Sequence, residues 1–415
     1  MQSHTLIIGG GITGLACASY LQRSGKTRVT VLEAGELAAG TTSQAAALLT
    51  RARSDDNSAV LVDETHRILK QLEARFGALA IRGGCVHVAC TAAEEERLQA
   101  YARQADALRQ DVRWLNGAEL AAALPWLALP VGAVGLLYAD DGHADPYGFA
   151  HFYARAARAD GAQLRTHTRV ADFLCTPDHD THDKQGGKRA VAGVITTEGE
   201  TILADQIVLA AGPWSPVLAR SVNLPLAMAP VRSHYWITDH LATVSARQPM
   251  AIVPSAKAYF RPEHSGLLFG VRDQQICVAD PQDLPADIHA FRFAHDSDGW
   301  QALEEHWQSL LATCPALENT GLAHYLSGVS SYTPDGKPLL GQAPGFANVW
   351  LATGCSGAGI ALSGGTGRLL SEMLLGEPLF ADPAPYDPGR FPAADAFDPD
   401  FRVRCAKARS GKSTG

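Results

Sequence analysis

The sequence predicts an α/β fold that opens on a βαβ unit, and three observations carry that prediction. The first is an apolar run, Thr5-Leu6-Ile7-Ile8, entering Gly9, Gly11 and Gly14 in the spacing Gly-x-Gly-x-x-Gly, with Ile12 and Thr13 between the last two. The second is the apolar-faced helix that follows. The third is a second strand, Arg28 to Leu32, ending on Glu33, nineteen residues after Gly14. In such a unit Gly9 allows the tight turn, Gly11 lets backbone approach a pyrophosphate, and Gly14 lets helix and strand pack closely. The helix N-terminus offers open N–H groups and the positive end of its dipole to phosphates. Glu33, followed by Ala34, is placed to accept hydrogen bonds from an adenosine ribose and would repel a 2′-phosphate, which disfavours NADP. The alternative is a glycine-rich turn in an ordinary α/β protein; strand, glycines, helix and acid agreeing at these spacings argue against it.

Composition narrows the class. A chain of 415 residues is long enough for two domains, and 46% hydrophobic with 19% charged residues is a globular balance. The net charge of −8 argues against a duplex binder, which needs a basic face, so no nucleic acid partner is expected. No apolar run reaches about 18 residues, so nothing is expected to span a membrane. Neither a basic n-region nor a cleavable apolar segment precedes Thr5, and the expected location is the cytoplasm, free or peripheral to the membrane. None of the eight cysteines forms a Cys-x-x-Cys pair; no metal is expected and the thiols should stay reduced.

Periodicity places further helices at Ser58–Phe76, Ala93–Leu108, Tyr147–Ala159 and Trp300–Leu311. Strands are expected at Cys85–Ala89, Val134–Tyr138, Gln163–His167, Ala192–Thr196, Gln206–Ala210, His234–Thr238, Ala258–Arg261, Leu267–Val271 and Val349–Ala352. Thr176–Arg189 is polar and reads as an exposed loop. From Ala381 onward the prolines, and after Phe401 the small and basic residues, predict a wrapping tail that frays near its end.

Three later segments extend the nucleotide-binding reading. Ile207-Val208-Leu209-Ala210-Ala211-Gly212-Pro213-Trp214 is a buried strand ending in small residues, where the chain can pass close to a bound group. Tyr332-Thr333-Pro334-Asp335-Gly336-Lys337-Pro338-Leu339-Leu340-Gly341 carries a turn signal into a short apolar run. Val349-Trp350-Leu351-Ala352-Thr353-Gly354-Cys355-Ser356-Gly357-Ala358-Gly359-Ile360 leads a strand through glycines into the helix Ala361–Leu375. One βαβ unit needs no second glycine-rich helix start; a flavin does, because its ring needs close backbone contact and its reduced form a positive dipole.

Taken in this order, the four motifs resemble the glycine oxidase / D-amino-acid oxidase superfamily of FAD-dependent oxidoreductases over about residues 1–380. The stretches Val231–Thr238, Tyr259–Glu263 and Gly266–Gly270 look like the sarcosine and dimethylglycine dehydrogenase branch, with some likeness to bacterial D-amino-acid dehydrogenases. The resemblance implies a glutathione reductase-like FAD fold, α/β and α+β. A Rossmann-type FAD-binding domain (1–80, 141–220 and 325–390) would intertwine with an antiparallel-sheet substrate domain (81–140 and 221–324), followed by a tail (391–415). It also implies the FAD contacts. Besides the first glycines and Glu33, these are Gly40, Thr41, Thr42 and Ser43 near the pyrophosphate, and Val170 at the adenine. Ala211, Gly212 and Trp214 would line the nucleotide. Gly354, Ser356, Gly357, Gly359 and Ile360 would sit at the isoalloxazine, and Gly328 is a further FAD contact. Where some relatives tether flavin through histidine or cysteine, this chain has Ser43-Gln44-Ala45-Ala46-Ala47-Leu48, so FAD is expected to be non-covalent. Serines occupy Gly328-Val329-Ser330-Ser331, where some relatives carry a substrate-carboxylate arginine. Leu268 occupies the position of an oxygen-activating lysine, which favours a dehydrogenase over an oxidase.

The implied reaction is hydride transfer from a carbon next to an amine nitrogen to flavin N5, on a small amine or an N-methyl, D- or cyclic amino acid. The imine product then hydrolyses. The cofactor carries the hard chemistry, and no strong general base is required or stands out. The helix starting near Gly359 would stabilise the anionic reduced ring. Tyr259 is a candidate to hydrogen-bond a carboxylate or shape the amine pocket, against the alternative of a core tyrosine. Arg232 is a candidate to pair bidentately with a carboxylate, against a surface ion pair. His234, on the same strand face as Arg232, could tune the amine or merely pack. Electrons would leave to a quinone, an electron-transfer protein or oxygen, from a homo- or hetero-oligomer. The competing readings are a flavin-binding subunit of a hetero-oligomeric dehydrogenase, inactive alone, and an NAD enzyme, in which the Gly354–Ile360 motif would have no role.

Overall fold

The structure, a computed structural model, describes residues 2–175, 188–272, 275, 277–392 and 394–410; most of the Thr176–Arg189 stretch therefore lies outside the described residues. Numbering strands and helices along the chain, a six-stranded sheet forms the nucleotide-binding half. Its order is β18 (Leu339–Gln342), β19 (Val349–Thr353), β12 (Gln206–Leu209), β1 (Ser3–Ile8), β2 (Thr27–Leu32) and β8 (Gln163–Arg165). All neighbours are parallel except β18 and β19. The last four residues of β1 and of β2, Thr5–Ile8 and Val29–Leu32, are buried because both faces of the sheet are covered, as parallel sheets require. Side-chain alternation divides the two faces. Ile7, Val29, Val31 and Val208 pack with Leu61, Val62, Leu369 and Leu370 of the helical layer. Leu6, Ile8, Ile207 and Leu209 pack with Phe173 and Val194 of a three-stranded sheet, β11 (Thr201–Leu203), β10 (Val191–Thr196) and β9 (Val170–Cys175).

The helical layer contains α1 (Ile12–Arg23), α2 (Asp56–Phe76), α5 (Pro146–Ala159) and α8 (Gly359–Leu375). Asp55 starts α2 by accepting the Ser58 N–H at 3.0 Å, and Asp145 starts α5 by accepting from Tyr147 and Gly148. No helix among the described residues is long and apolar enough to cross a membrane.

The second sheet has eight strands in the order β17 (Leu322–Tyr332), β13 (Ala229–Thr238), β16 (Gly266–Val271), β15 (Ala258–Glu263), β14 (Met250–Val253), β4 (Cys85–Ala89), β6 (Val134–Tyr138) and β5 (Val112–Leu115). It is antiparallel apart from one parallel pair, β14 with β4. On one face Val86, Trp236, Phe260 and Phe269 pack with Leu303 and Leu310 of α7 (Trp300–Thr313) and with Leu120 of α4 (Gly117–Ala123). Leu98 and Tyr101 of α3 (Ala92–Ala107) cover Ala89 and Leu136. A two-stranded ribbon, β3 (Leu48–Leu49) with β7 (Gly142–His143), joins the halves, and α6 (Ser215–Arg220) follows the Gly212 turn.

Two expectations are corrected here. The strand Leu322–Tyr332 was not expected, and position 325, read as the start of the last nucleotide-binding segment, falls inside it. Its first half is part-exposed with no clean alternation, so its pattern is silent and its pairing with β13 decides it. The expected antiparallel sheet forms, with one parallel pair where β4, from an earlier segment, meets β14. The expected fraying tail contains a helix, α9 (Pro399–Ser410), that buries Phe401, Cys405 and Ala406 in the core shared with Met228 and Tyr332. Two apolar positions one turn apart in a basic stretch were too sparse a signal. Residues 411–415 lie outside the described residues.

Candidate functional site

One cavity of about 460 Å³ joins the two halves, a volume typical of small-molecule sites. Its nucleotide end is built where the parallel strands stop. Gly9, Gly11, Ile12 and Thr13 of the β1–α1 turn line it, with Glu33 and Ala34 at the end of β2 and Val170 at the start of β9. The Glu33 carboxylate accepts the Gly10 N–H at 2.7 Å and the Gly35 N–H at 2.9 Å, which fixes it at the cavity wall. Gly11 precedes α1 without a side-chain cap, and of the first-turn N–H groups that of Ile12 donates to Thr42 Oγ1 at 3.0 Å. Gly40, Thr41, Ala211, Gly212 and Trp214 continue the wall. Thr41 donates to the Val329 carbonyl at 2.7 Å and Trp214 Nε1 to the Pro285 carbonyl at 3.2 Å, tying this end to the second half of the molecule. These features fit a dinucleotide: an acid placed for a ribose, an uncapped helix start for phosphates, and a cradle of residues without bulk.

Gly354, Gly357, Gly359 and Ile360 line the other end, at the start of α8, whose N-cap residue Ala358 also lacks a side-chain bond. An uncapped α8 N-terminus on a cavity suits a group that gains negative charge. Facing it are Ser233, His234 and Tyr235 of β13, Tyr259 of β15, and Gly328 to Tyr332 of β17. Tyr259 lies opposite Gly270 in register, and a Cβ on Gly270 would meet the Tyr259 ring at 2.4 Å. The ring therefore lies across the glycine and is aimed by it. Burial pushes the Tyr259 hydroxyl above its ordinary pKa, so it is protonated and can donate; Arg272, Arg409 and Arg261 oppose that shift.

The placements of the remaining expected residues differ. Gly14, Ser43 and Ser356 stand behind the lining. Ser43 Oγ bonds the Ala39 and Gly40 carbonyls, and Ser356 accepts from Thr333 N at 3.3 Å, so both shape the loops that line the cavity. Arg232 overturns the expectation of a carboxylate partner. It is fully buried outside the cavity lining, its Nη1 lies 3.2 Å from Asp296 Oδ2, and it donates to the Asp296 carbonyl at 2.7 Å. The alternation that puts Ser233 and Tyr235 on the cavity sends Arg232 and Trp236 toward α7. His234 borders the cavity, but its Nδ1 pairs with the Tyr325 hydroxyl at 3.1 Å and its ring packs on Trp236. Sequence reasoning missed Gln44, whose Oε1 accepts from Val329 N, and also Asp287, Arg272 and Arg409 in the lining. Gln44 sat inside a run already singled out; the others belong to no motif.

Past Leu48 in the chain lies a buried polar cluster. The donor atoms of Cys85, His87 and Asp141 lie within 4.8 Å of one another, a spacing a metal could use. Arg51 already occupies the carboxylate, with Nη1 at 3.3 Å from Asp141 Oδ1 and its N–H at 3.0 Å from Oδ2, and Arg53 is buried nearby. Two guanidinium groups supply the positive charge, so the cluster reads as an internal ion network. Burial and Arg53 hold His87 down to about 3, and burial and Arg261 do the same to His143. Burial, Arg51 and Arg53 hold His66 well below the ordinary histidine value.

These shifts predict acid sensitivity. Each neutral buried histidine contributes stability that is complete above the ordinary value of 6.5 and is lost as pH falls toward the folded value. Asp141, raised by burial to about 7, runs the other way: its contribution is present below 3.8 and lost as pH rises through 7. Between pH 7 and 5 His87 and His143 lose about 2 kcal/mol each and Asp141 regains about 2, and His66 loses stability in the same direction, so the net change is a loss. Thermal melts across that range should show Tm falling with acid; a flat or rising Tm would contradict it.

The comparisons with known proteins agree with this geometry. A family model described as FAD dependent oxidoreductase matches residues 4–373. Mitochondrial dimethylglycine dehydrogenase of Mus musculus is 28% identical over 403 residues, which are 94% of this chain and 44% of that protein. The chain thus spans less than half the length of that relative. Glycine oxidase of Bacillus subtilis is 28% identical over 389 residues, covering 91% of this chain and 94% of that enzyme. The crystal structure of L-proline dehydrogenase from P. horikoshii superposes with a TM-score of 0.80 at 21% identity, covering 94% of this chain and 98% of that one. This last likeness concerns the fold.

Proposed function

This chain belongs to the FAD dependent oxidoreductase family, and from that premise we propose that it oxidises a small amine or amino acid (N-methyl, D- or cyclic) at the carbon next to nitrogen. Bound FAD supplies the chemistry by accepting hydride at N5, and the imine left behind hydrolyses in water. One observation carries the reading: a single cavity runs from the Glu33 and Gly11 end to a wall of tyrosines and serines on the second sheet, past the uncapped start of α8. Glu33 would hold the ribose, and the first turn of α1 with Thr42 the pyrophosphate, without a covalent tether. The α8 N-terminus would stabilise negative charge on the ring. Tyr259, protonated and held across Gly270, would donate to the substrate. Burial on this side disfavours the ammonium form of a bound amine and so favours the neutral nitrogen whose lone pair drives the transfer. We favour a dehydrogenase, with a quinone or an electron-transfer protein as acceptor, because Leu268 is buried where an oxygen-activating lysine would stand.

The test is anaerobic flavin bleaching of the purified protein against a panel of amines, followed by admission of air. Bleaching by one amine class is expected, with slow recolouring in air. Rapid recolouring would make the protein an oxidase. Failure of every amine to bleach the flavin would sink the proposal and favour the second reading, a flavin-binding subunit of a larger dehydrogenase.

A further inference from the structure

The cavity wall beside Tyr259 carries two guanidinium groups from separate elements, Arg272 after β16 and Arg409 near the end of α9. The Arg272 guanidinium lies 5.9 Å from the Tyr259 ring centroid. Arg409 Nη2 donates to the carbonyl of Val271, the residue before Arg272, at 3.3 Å, which ties the end of α9 to the end of β16 where Arg272 follows. Both act electrostatically on the Tyr259 hydroxyl. The two acids that line the cavity accept backbone N–H groups, Glu33 from Gly10 and Gly35, and Asp287 from His289. The helix that delivers Arg409 is anchored by buried Phe401 and Cys405 and by Arg402 on Asp280 at 2.9 Å. Arg409 itself is buried, so it is held at the wall rather than reaching in from solvent.

We propose that Arg272 and Arg409 bind the carboxylate of the substrate, so that the C-terminal helix completes the substrate site and the chain takes amino acids rather than simple amines. Guanidinium forks match a planar carboxylate with paired, charge-assisted hydrogen bonds. Fixing the anionic end leaves the amine-bearing carbon as the part presented to the ring, which is how remote binding orients a reaction. Arg232 is committed to Asp296, and the serines at Ser330 and Ser331 can add only neutral hydrogen bonds to such an anion. In assigning the anion to a substrate, the inference rests on the amine-oxidation reading above.

The experiment is isothermal titration of the FAD-loaded full chain with 2-furoate, a carboxylate without an oxidisable amine, and with its uncharged counterpart 2-furamide. Wild type should bind 2-furoate and should bind 2-furamide at least about tenfold more weakly. Arg272→Gln and Arg409→Gln should each weaken 2-furoate at least about tenfold and leave 2-furamide unchanged, with FAD content retained. Arg409→Lys, which keeps the charge and the helix packing, should fall between, and Lys407→Gln on the exposed face of the same helix should match wild type. The inference is overturned by equal affinity for acid and amide, by unchanged 2-furoate binding in both glutamine variants, or by a parallel loss of 2-furamide, which would mean a packing role. Loss of FAD from both variants would assign the guanidinium groups to the cofactor and overturn it too. Because no turnover is needed, 2-furoate binding that depends on both arginines in a protein no amine can bleach would fail the oxidation reading alone. Bleaching with unaltered 2-furoate binding in the variants would fail only this inference.

Discussion

Gly11→Val is expected to give a folded, colourless protein. The glycines of the first motif meet very different neighbours. A Cβ on Gly14 would lie 2.1 Å from the Gly9 carbonyl oxygen, so a side chain there breaks the packing of α1 on its strand. A Cβ on Gly11 meets only Thr42 Oγ1, at 3.4 Å, and otherwise points into the cavity. Its backbone, at φ −73° and ψ 173°, is extended and open to any residue. Valine at 11 therefore costs the fold little and fills the space that the pyrophosphate needs beside the α1 N-terminus. Circular dichroism should be unchanged while FAD content falls to near zero. A mutant purified with a full complement of flavin would falsify the placement of the phosphates, and an unfolded mutant would show that the loop tolerates less than its contacts imply.

Gly365→Ala should destabilise the protein although alanine is the better helix former. The propensity gain is about 1 kcal/mol. Against it, a Cβ at 365 would lie 2.4 Å from both the Leu61 Cα and the Leu61 carbonyl oxygen. These are backbone atoms of α2 and cannot rotate away. The two helices touch through backbone here, and Thr65 Oγ1 of α2 accepts from Gly364 N at 3.0 Å across the contact. Parting them forfeits that bond and the packing of Leu61, Val62 and Leu369, at a cost of about 3 kcal/mol. The steric cost outweighs the propensity gain, and Tm should fall by roughly 2 °C. Because α8 begins at the cavity, FAD should also be held more weakly. Gly117→Ala in α4, where nothing lies within 4 Å of the added Cβ, is the control and should be neutral. A Tm for Gly365→Ala equal to wild type would mean that the helices repack at no cost.

Much of the nucleotide half was legible because its signals are local. The β1–α1 turn, Glu33, the strand before Ala211 and Gly212, and the glycines before α8 are each read within about a dozen residues, and each lies on or beside the cavity. The parallel strands read as apolar runs because both their faces are buried. Period-2 alternation also applied to the second sheet: Tyr259 was a candidate from its strand and lines the cavity. The same alternation put Arg232 and His234 on one face, but which face meets the cavity is a tertiary fact. β13 has buried residues on both sides, α7 on one and the cavity on the other, so its pattern does not distinguish them.

The sequence by itself determined the βαβ unit, the family and therefore the flavin, and most elements, since backbone turns, helix starts and apolar runs are written in neighbouring residues. Only the tertiary structure decided which residues of the second half wall the cavity. Arg232 found Asp296, 64 residues away, and left the site. Arg409 reached Val271 across 138 residues and joined it. Such contacts depend on how the two sheets and the C-terminal helix come together, and an ionic partner so distant in the chain leaves no periodic trace in the residues beside it.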